Sequence, residues 1–117
     1  MNKEKILRKS EDFSKIISYQ KKYKNKYFSL YYKESDTTLF GITVPKKVGK
    51  AVYRNKLKRR VKNIISHNEK YIQSNYNYVI IIKEPSLKLD YEGLENNLLD
   101  LIKQYPEQRW KQLSAQA

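Results

Sequence analysis

The chemistry this sequence offers is concentrated in eighteen residues. In KKVGKAVYRNKLKRRVKN, residues 46 to 63, nine side chains are Lys or Arg and none is acidic. Positive groups at this density attract polyanions, in a binding that releases counterions and weakens as salt rises. Three of the chain's five Arg, namely Arg54, Arg59 and Arg60, fall within seven residues, although Lys outnumbers Arg twenty to five overall. The planar guanidinium engages two phosphate oxygens at once, which an ammonium cannot do. The segment therefore points to phosphate geometry as well as to charge.

Side-chain catalysis finds little support. His67 is the only His and lies at the end of the basic segment, where a polar helix residue is the simpler reading than a general base. There is no Cys, so no thiol nucleophile, disulfide or Cys-ligated metal. Glu11 and Asp12, like Asp90 and Glu92, fit helix starts, where carboxylates offset the helix dipole. VPKKVGKA lacks the GxxxxGK[ST] spacing of a phosphate loop, and Gly49 reads as a tight turn into a helix. No catalytic or metal-ligating residue is assigned. Eleven Tyr and three Phe offer a second clue. Unpaired RNA is held by basic grooves with aromatic side chains that stack on its bases. Phe13 and Tyr31 are candidates for such a platform, with a core role for Phe13 equally open.

The totals set limits. A chain of 117 residues suits one domain, here 1–117, with a small core. The formal net charge is +13 and it is unevenly spread. Nine basic and no acidic residues lie between Asp36 and Glu69, whereas six basic and seven acidic residues follow from Glu69 onward. Solubility alone does not require one acid-free segment. No apolar run has the length of a membrane span, and MNKEKILRKSEDF is charged without a signal-peptide core, so a cytoplasmic location and no membrane partner are expected.

The elements that would position the basic segment follow from periodicity. Ser10 is a candidate cap for a helix carrying Phe13, Ile16 and Ile17, ending near Tyr19. QKKYKNK reads as a loop. YFSLYY, residues 27 to 32, reads as a strand with Phe28, Leu30 and Tyr32 on one face and Tyr27, Ser29 and Tyr31 on the other. After a KESDTT turn, LFGITV, residues 39 to 44, reads as its hairpin partner, closed by Pro45. A helix from about Ala51 to about Glu69 places Tyr53, Leu57, Val61, Ile64 and Ile65 in one apolar stripe. Asn55, Lys58, Arg59, Lys62 and Asn63 fall opposite, with Arg54 and Arg60 at the borders. Such a helix could lie on an anionic membrane, but its Leu, Val and Ile are better used against a sheet. YVIIIK, residues 78 to 83, is a central strand covered on both faces. Asp90 could cap a last helix with a stripe of Tyr91, Leu94, Leu98, Leu101, Ile102 and Tyr105, ended by Pro106. Residues 107–117 read as a loose tail. The order α-β-β-α-β-α suggests a small α/β (α+β) two-layer sandwich with a mixed sheet.

GITVPKKVGKAVYRNKLKRRVKN resembles the signature of the protein subunit of bacterial ribonuclease P: a strand, a Lys-Lys-x-Gly-x-Ala-Val turn, then Arg-Asn and a Lys-Arg pair on a helix. LRKSEDFSKII is similar to that family's first helix, YFSLYY to its first strand, and YVIIIKEPSLKLDYEGLENNLLDLI to its last strand and helix. The resemblance implies a ribosomal protein S5 domain 2-like fold with a left-handed β-α-β crossover, where general rules favour the right-handed one. It implies a protein that does not cut RNA itself. Its partners would be a catalytic RNA subunit, which with Mg2+ bound mainly by that RNA removes the 5′ leader of precursor tRNA, and the leader itself. No protein partner is implied. By position, Arg54, Asn55, Lys56, Lys58, Arg59 and Lys62, with Lys46 and Lys47 in the turn, match the basic motif that would face the RNA. Phe13, Ile17 and Tyr31 match positions in a leader cleft. Lys56 and Lys62 stand where Arg is frequent, keeping charge without the bidentate fork. Ile17 stands where an aromatic is common. A ribosomal RNA-binding protein would share the charge, size and fold class. A stand-alone nuclease would need clustered carboxylates, and the acidic residues here are scattered.

Overall fold

The computed structural model describes residues 5–7 and 9–103. Tyr105, Pro106 and the tail at 107–117 lie outside them. The element order is α1 (Ser10–Ser18), β1 (Lys22–Lys24), β2 (Phe28–Glu34), β3 (Phe40–Thr43), α2 (Ala51–His67), β4 (Tyr76–Ile82) and α3 (Tyr91–Lys103), with short 3-10 turns after β3, α2 and β4. The four strands form one mixed sheet in the order β1-β2-β4-β3. This is an α+β fold, with one strand more than the periodicity suggested.

That strand, β1, lies in the segment read as a loop. Its sequence KYK is too short and too charged to announce itself. It pairs antiparallel with β2, Lys22 opposite Tyr31 and Lys24 opposite Ser29. The central Tyr23 turns inward and stacks on Tyr32 with centroids 6.3 Å apart. Asn25 builds the connection: its Oδ1 accepts from Tyr27 N at 2.8 Å and Phe28 N at 2.9 Å, and its Nδ2 donates to Asn97 O on α3.

The expected β2–β3 hairpin does not form. β4 lies between them, antiparallel to β2 and parallel to β3. The reason is apolar coverage. Tyr78, Val79, Ile80 and Ile82 are buried on both faces of β4, which only a central strand allows. The turn after β2 instead crosses the start of β4. There Asn77 Oδ1 accepts from Leu39 N and Thr37 Oγ1, and Asn75 N donates to Thr38 Oγ1. The β3-α2-β4 unit is thus a β-α-β crossover between adjacent parallel strands.

One sheet face carries the main core. Phe28, Leu30, Phe40, Tyr78, Ile80 and Ile82 pack under Leu57, Val61, Ile64 and Ile65 of α2 and Leu94, Leu98, Leu101 and Ile102 of α3. Tyr53, assigned to the α2 stripe by periodicity, is 54% exposed, and the buried side of α2 begins at Leu57. Asn68 ends α2, donating to Ile64 O at 2.7 Å and to Glu95 on α3 at 3.0 Å. Asp90 caps α3 as expected, its Oδ1 accepting from Gly93 N at 2.8 Å. The other sheet face is covered by α1 and by Leu7 in the segment before it, whose N donates to Phe40 O at 2.9 Å. Ser10 is the first helical residue of α1 rather than its cap; Lys9 holds that position with no side-chain bond. Ile16 and Val79 are buried there, with Phe13, Ile17, Tyr31, Leu39 and Ile81 packed around them. Among the described residues no helix is long and apolar enough to cross a membrane.

Candidate nucleic-acid interface

α2 is held by its apolar side, so its basic residues emerge where neutralising partners are few. Asn55, Lys56 and Arg59 are exposed; Arg54, Lys58, Arg60 and Lys62 are partly buried beside the core. Lys46 and Lys47 are exposed in the 3-10 turn that leads from β3. Gly49 carries the chain out of this turn in extended form, φ 159° and ψ −169°. The tight turn expected at Gly49 is made instead by Lys46–Val48. Arg54 bends back, its Nε donating to Gly49 O at 3.0 Å, which anchors one guanidinium at the mouth of the helix.

Electrostatics set α2 apart from the other helices. α1 has Glu11 and Asp12 in its first turn and α3 has Glu92. α2 has no acidic residue there and no side-chain cap. The positive end of its dipole therefore meets more positive charge. The one ion pair among the described residues, Lys5–Glu69 at 3.3 Å, leaves the α2 cations unneutralised. This arrangement disfavours the free protein and favours a bound anion.

The α1 face of the sheet brings the three cleft candidates together. Phe13, Ile17 and Tyr31 are all partly buried around Val79 and Ile16. Phe13 packs directly on Gly41: a Cβ there would come 2.6 Å from its Cε1 and Cζ. Gly41 is in β3 because only a bare backbone admits the ring that close. Phe13 is thus fixed in the small cluster by β3 as well as by its own helix. Tyr31 presents its ring beside β1, with Lys22 Nζ 5.3 Å from the centroid and 3.5 Å from the hydroxyl. Ile17 offers apolar contact but no ring.

Four lysines on this face were not singled out by sequence reasoning. Lys22 and Lys24 on β1, Lys33 on β2 and Lys83 just after β4 share the parity of Tyr31 and Val79. Lys33 and Lys21 each set Nζ 5.7 Å from the Tyr19 ring at the end of α1. Lys83 Nζ donates to Asn25 O at 2.8 Å. Partial burial, then Lys24 and Lys22, hold its ammonium below the usual lysine range. The signal that could have found Lys22 and Lys24 is the Lys-x-Lys alternation around Tyr23; no local pattern marks Lys33 or Lys83. An open depression of about 410 Å³, whose lining includes Lys47, Val48, Ile81, Lys83 and the acidic Glu84, lies between this face and the basic turn before α2. Among the described residues no three His, Asp or Glu side chains gather as metal ligands would.

Comparison with known proteins bears on the family and the fold. The sequence model of the Ribonuclease P family matches residues 1–106. The ribonuclease P protein component of Mycoplasma mycoides is 37% identical over 107 residues, covering 89% of this chain and 98% of that protein. The one from Streptococcus agalactiae is 35% identical over 105 residues, with 88% and 95% covered. Among solved structures, the RNase P protein of Thermotoga maritima superposes with a TM-score of 0.78 at 32% identity, covering 84% of this chain and 94% of that one. The RNase P protein of Staphylococcus aureus gives 0.78 at 26% identity, covering 85% and 93%. A match along nearly the whole length, in sequence and in fold, places the chain in a family: it belongs to the ribonuclease P protein components.

Proposed function

We propose that this chain is the RNA-binding protein subunit of ribonuclease P, acting in the cytoplasm. It takes part in tRNA 5′ processing by binding the catalytic RNA through α2 and the precursor's 5′ leader on the α1 face of the sheet. The observation that carries this reading is the acid-free, unneutralised α2 on a chain of this family. Lys46, Lys47, Arg54, Asn55, Lys56, Lys58, Arg59 and Lys62 would meet the phosphates of the catalytic RNA, and Phe13, Ile17 and Tyr31 would line the leader cleft. Phosphate contacts position the partner without reading its sequence, and aromatic rings accept any base.

The protein's own part is placement. The Mg2+ ions of phosphodiester hydrolysis would be bound mainly by the RNA. Neutralising RNA phosphates lowers the Mg2+ concentration needed to hold the RNA compact. Cleavage of precursor tRNA by the cognate catalytic RNA at low Mg2+ should therefore depend on the protein. If the protein does not raise cleavage there, or cuts precursor without any RNA subunit, the proposal is wrong.

A further inference from the structure

We propose that Lys22, Lys24 and Lys83 form a phosphate-binding strip that carries the leader backbone from Tyr31 across the open β1 edge of the sheet. The inference rests on the leader-cleft reading and extends it to residues outside the basic motif.

The first support is register. Lys22 stands opposite Tyr31 and Lys24 opposite Ser29, and Ser29 stands opposite Ile81 in β4. Lys83 continues that row, its N donating to Tyr27 O at 2.9 Å. All three side chains therefore share the face on which Tyr31 lies, while Tyr23 between the two lysines points to the other. The second is the absence of a counter-charge. No carboxylate pairs with any of the three among the described residues, although Glu84 follows Lys83 directly. Lys83 is oriented by Asn25 O, next to Lys24, so that positive groups are gathered rather than spread. Burial and then mutual repulsion lower the proton affinity of Lys83. Such a cluster is stable when an anion spans it.

The third is the chemistry beside it. Lys22 Nζ lies at the hydroxyl end of the Tyr31 ring, 3.5 Å from its oxygen, so a base stacked on Tyr31 would have its own phosphate within reach of an ammonium. Stacking and charge side by side suit single-stranded nucleic acid, whose bases and phosphates alternate. The strip is also accessible, since α1 covers the sheet through Phe13, Ile16 and Ile17 and leaves exposed Lys22 and Lys24 uncovered.

The competing role for Lys22 and Lys24 is protective, because edge lysines keep sheet edges from pairing with other chains. The test separates the two. The holoenzyme, reconstituted with its catalytic RNA, is titrated with precursor tRNA bearing either a long leader or one cut back to the nucleotides beside the cleavage site. Lys22→Gln/Lys24→Gln should weaken binding of the long leader by roughly two- to fivefold for each lysine at low salt. It should reduce the salt slope by about 0.7 for each phosphate no longer neutralised, and leave the shortened leader much less affected. Lys22→Arg/Lys24→Arg should restore binding, and Lys83→Gln should share the leader-length dependence. Equal loss for both leaders, or aggregation with long-leader affinity retained, overturns the strip. Tyr31→Ala is measured in parallel. If it lowers leader affinity while the lysine variants do not, the strip alone is wrong; if neither has an effect, the leader cleft falls with it.

Discussion

Replacing Gly41 by Ala probes the one contact in which fold and candidate cleft are the same atoms. The added methyl would stand 2.6 Å from Phe13 Cε1 and Cζ and 3.2 Å from Cδ1. Ordinary contact begins at 3.4 Å, so the ring must retreat by about 0.8 Å. It cannot simply slide, because α1 also holds Ile16 and Ile17 against Val79. Forcing a ring off its rotamer costs about 0.5–1.5 kcal/mol, and overpacking as a whole about 1–3 kcal/mol. Loss of glycine's freedom in the unfolded chain returns about 0.4–1 kcal/mol. The net expectation is a destabilisation of about 1–2 kcal/mol, or roughly 4 °C in Tm for each kcal/mol. Urea unfolding of the wild type, Gly41→Ala, Phe13→Ala and the double variant forms a cycle. In the Phe13→Ala background the Gly41→Ala change should be neutral or stabilising, giving a coupling of at least about 1 kcal/mol. Leader-bearing precursor should bind Gly41→Ala less well, since the cleft wall has moved. Equal cost in both backgrounds would refute the contact. Lowered stability with unaltered leader affinity would remove Phe13 from the cleft and leave it only its place in the cluster.

Three further outcomes are expected. Arg59→Ala should weaken assembly with the catalytic RNA and flatten its salt dependence by about 0.9 for one duplex phosphate left unneutralised, measured by filter binding across salt; Arg59 is the cleaner choice because Arg54 also holds Gly49 O. Tyr91→Phe should raise stability by about 1 kcal/mol, read by urea unfolding, because its buried hydroxyl has no hydrogen-bond partner among the described residues. Gln20→Gly should stabilise by about 0.5–1 kcal/mol in the same assay, since Gln20 closes α1 at φ 61°, a left-handed conformation that costs a side chain energy.

The α2 surface was legible in the sequence because it is local. A helix of known period assigns Leu57, Val61, Ile64 and Ile65 to one side, where they are buried, and Asn55, Lys58, Arg59, Lys62 and Asn63 to the other, where Asn55, Arg59 and Asn63 are exposed and Lys58 and Lys62 partly buried. Tyr53 escaped the rule because burial depends on where along the helix packing begins as well as on angle. The grouping of the candidate cleft residues was only half legible. Phe13, Ile17 and Tyr31 could be named, but that they meet around Val79 follows from α1 lying across the sheet.

The sequence by itself determined the quantities that add along a chain: a charge of +13, its gathering into an acid-free helix, the apolar run of β4 and the cap at Asp90. Tertiary structure alone decided the pairings. β4 entered between β2 and β3 because burying both of its faces outweighed the short loop of a hairpin. β1 became a strand because β2 offered an open edge to pair with and Tyr23 a ring to stack. Lysines far apart along the chain, Lys22 and Lys83, then came to share one face, because strand order, which no local pattern encodes, sets which side chains are neighbours.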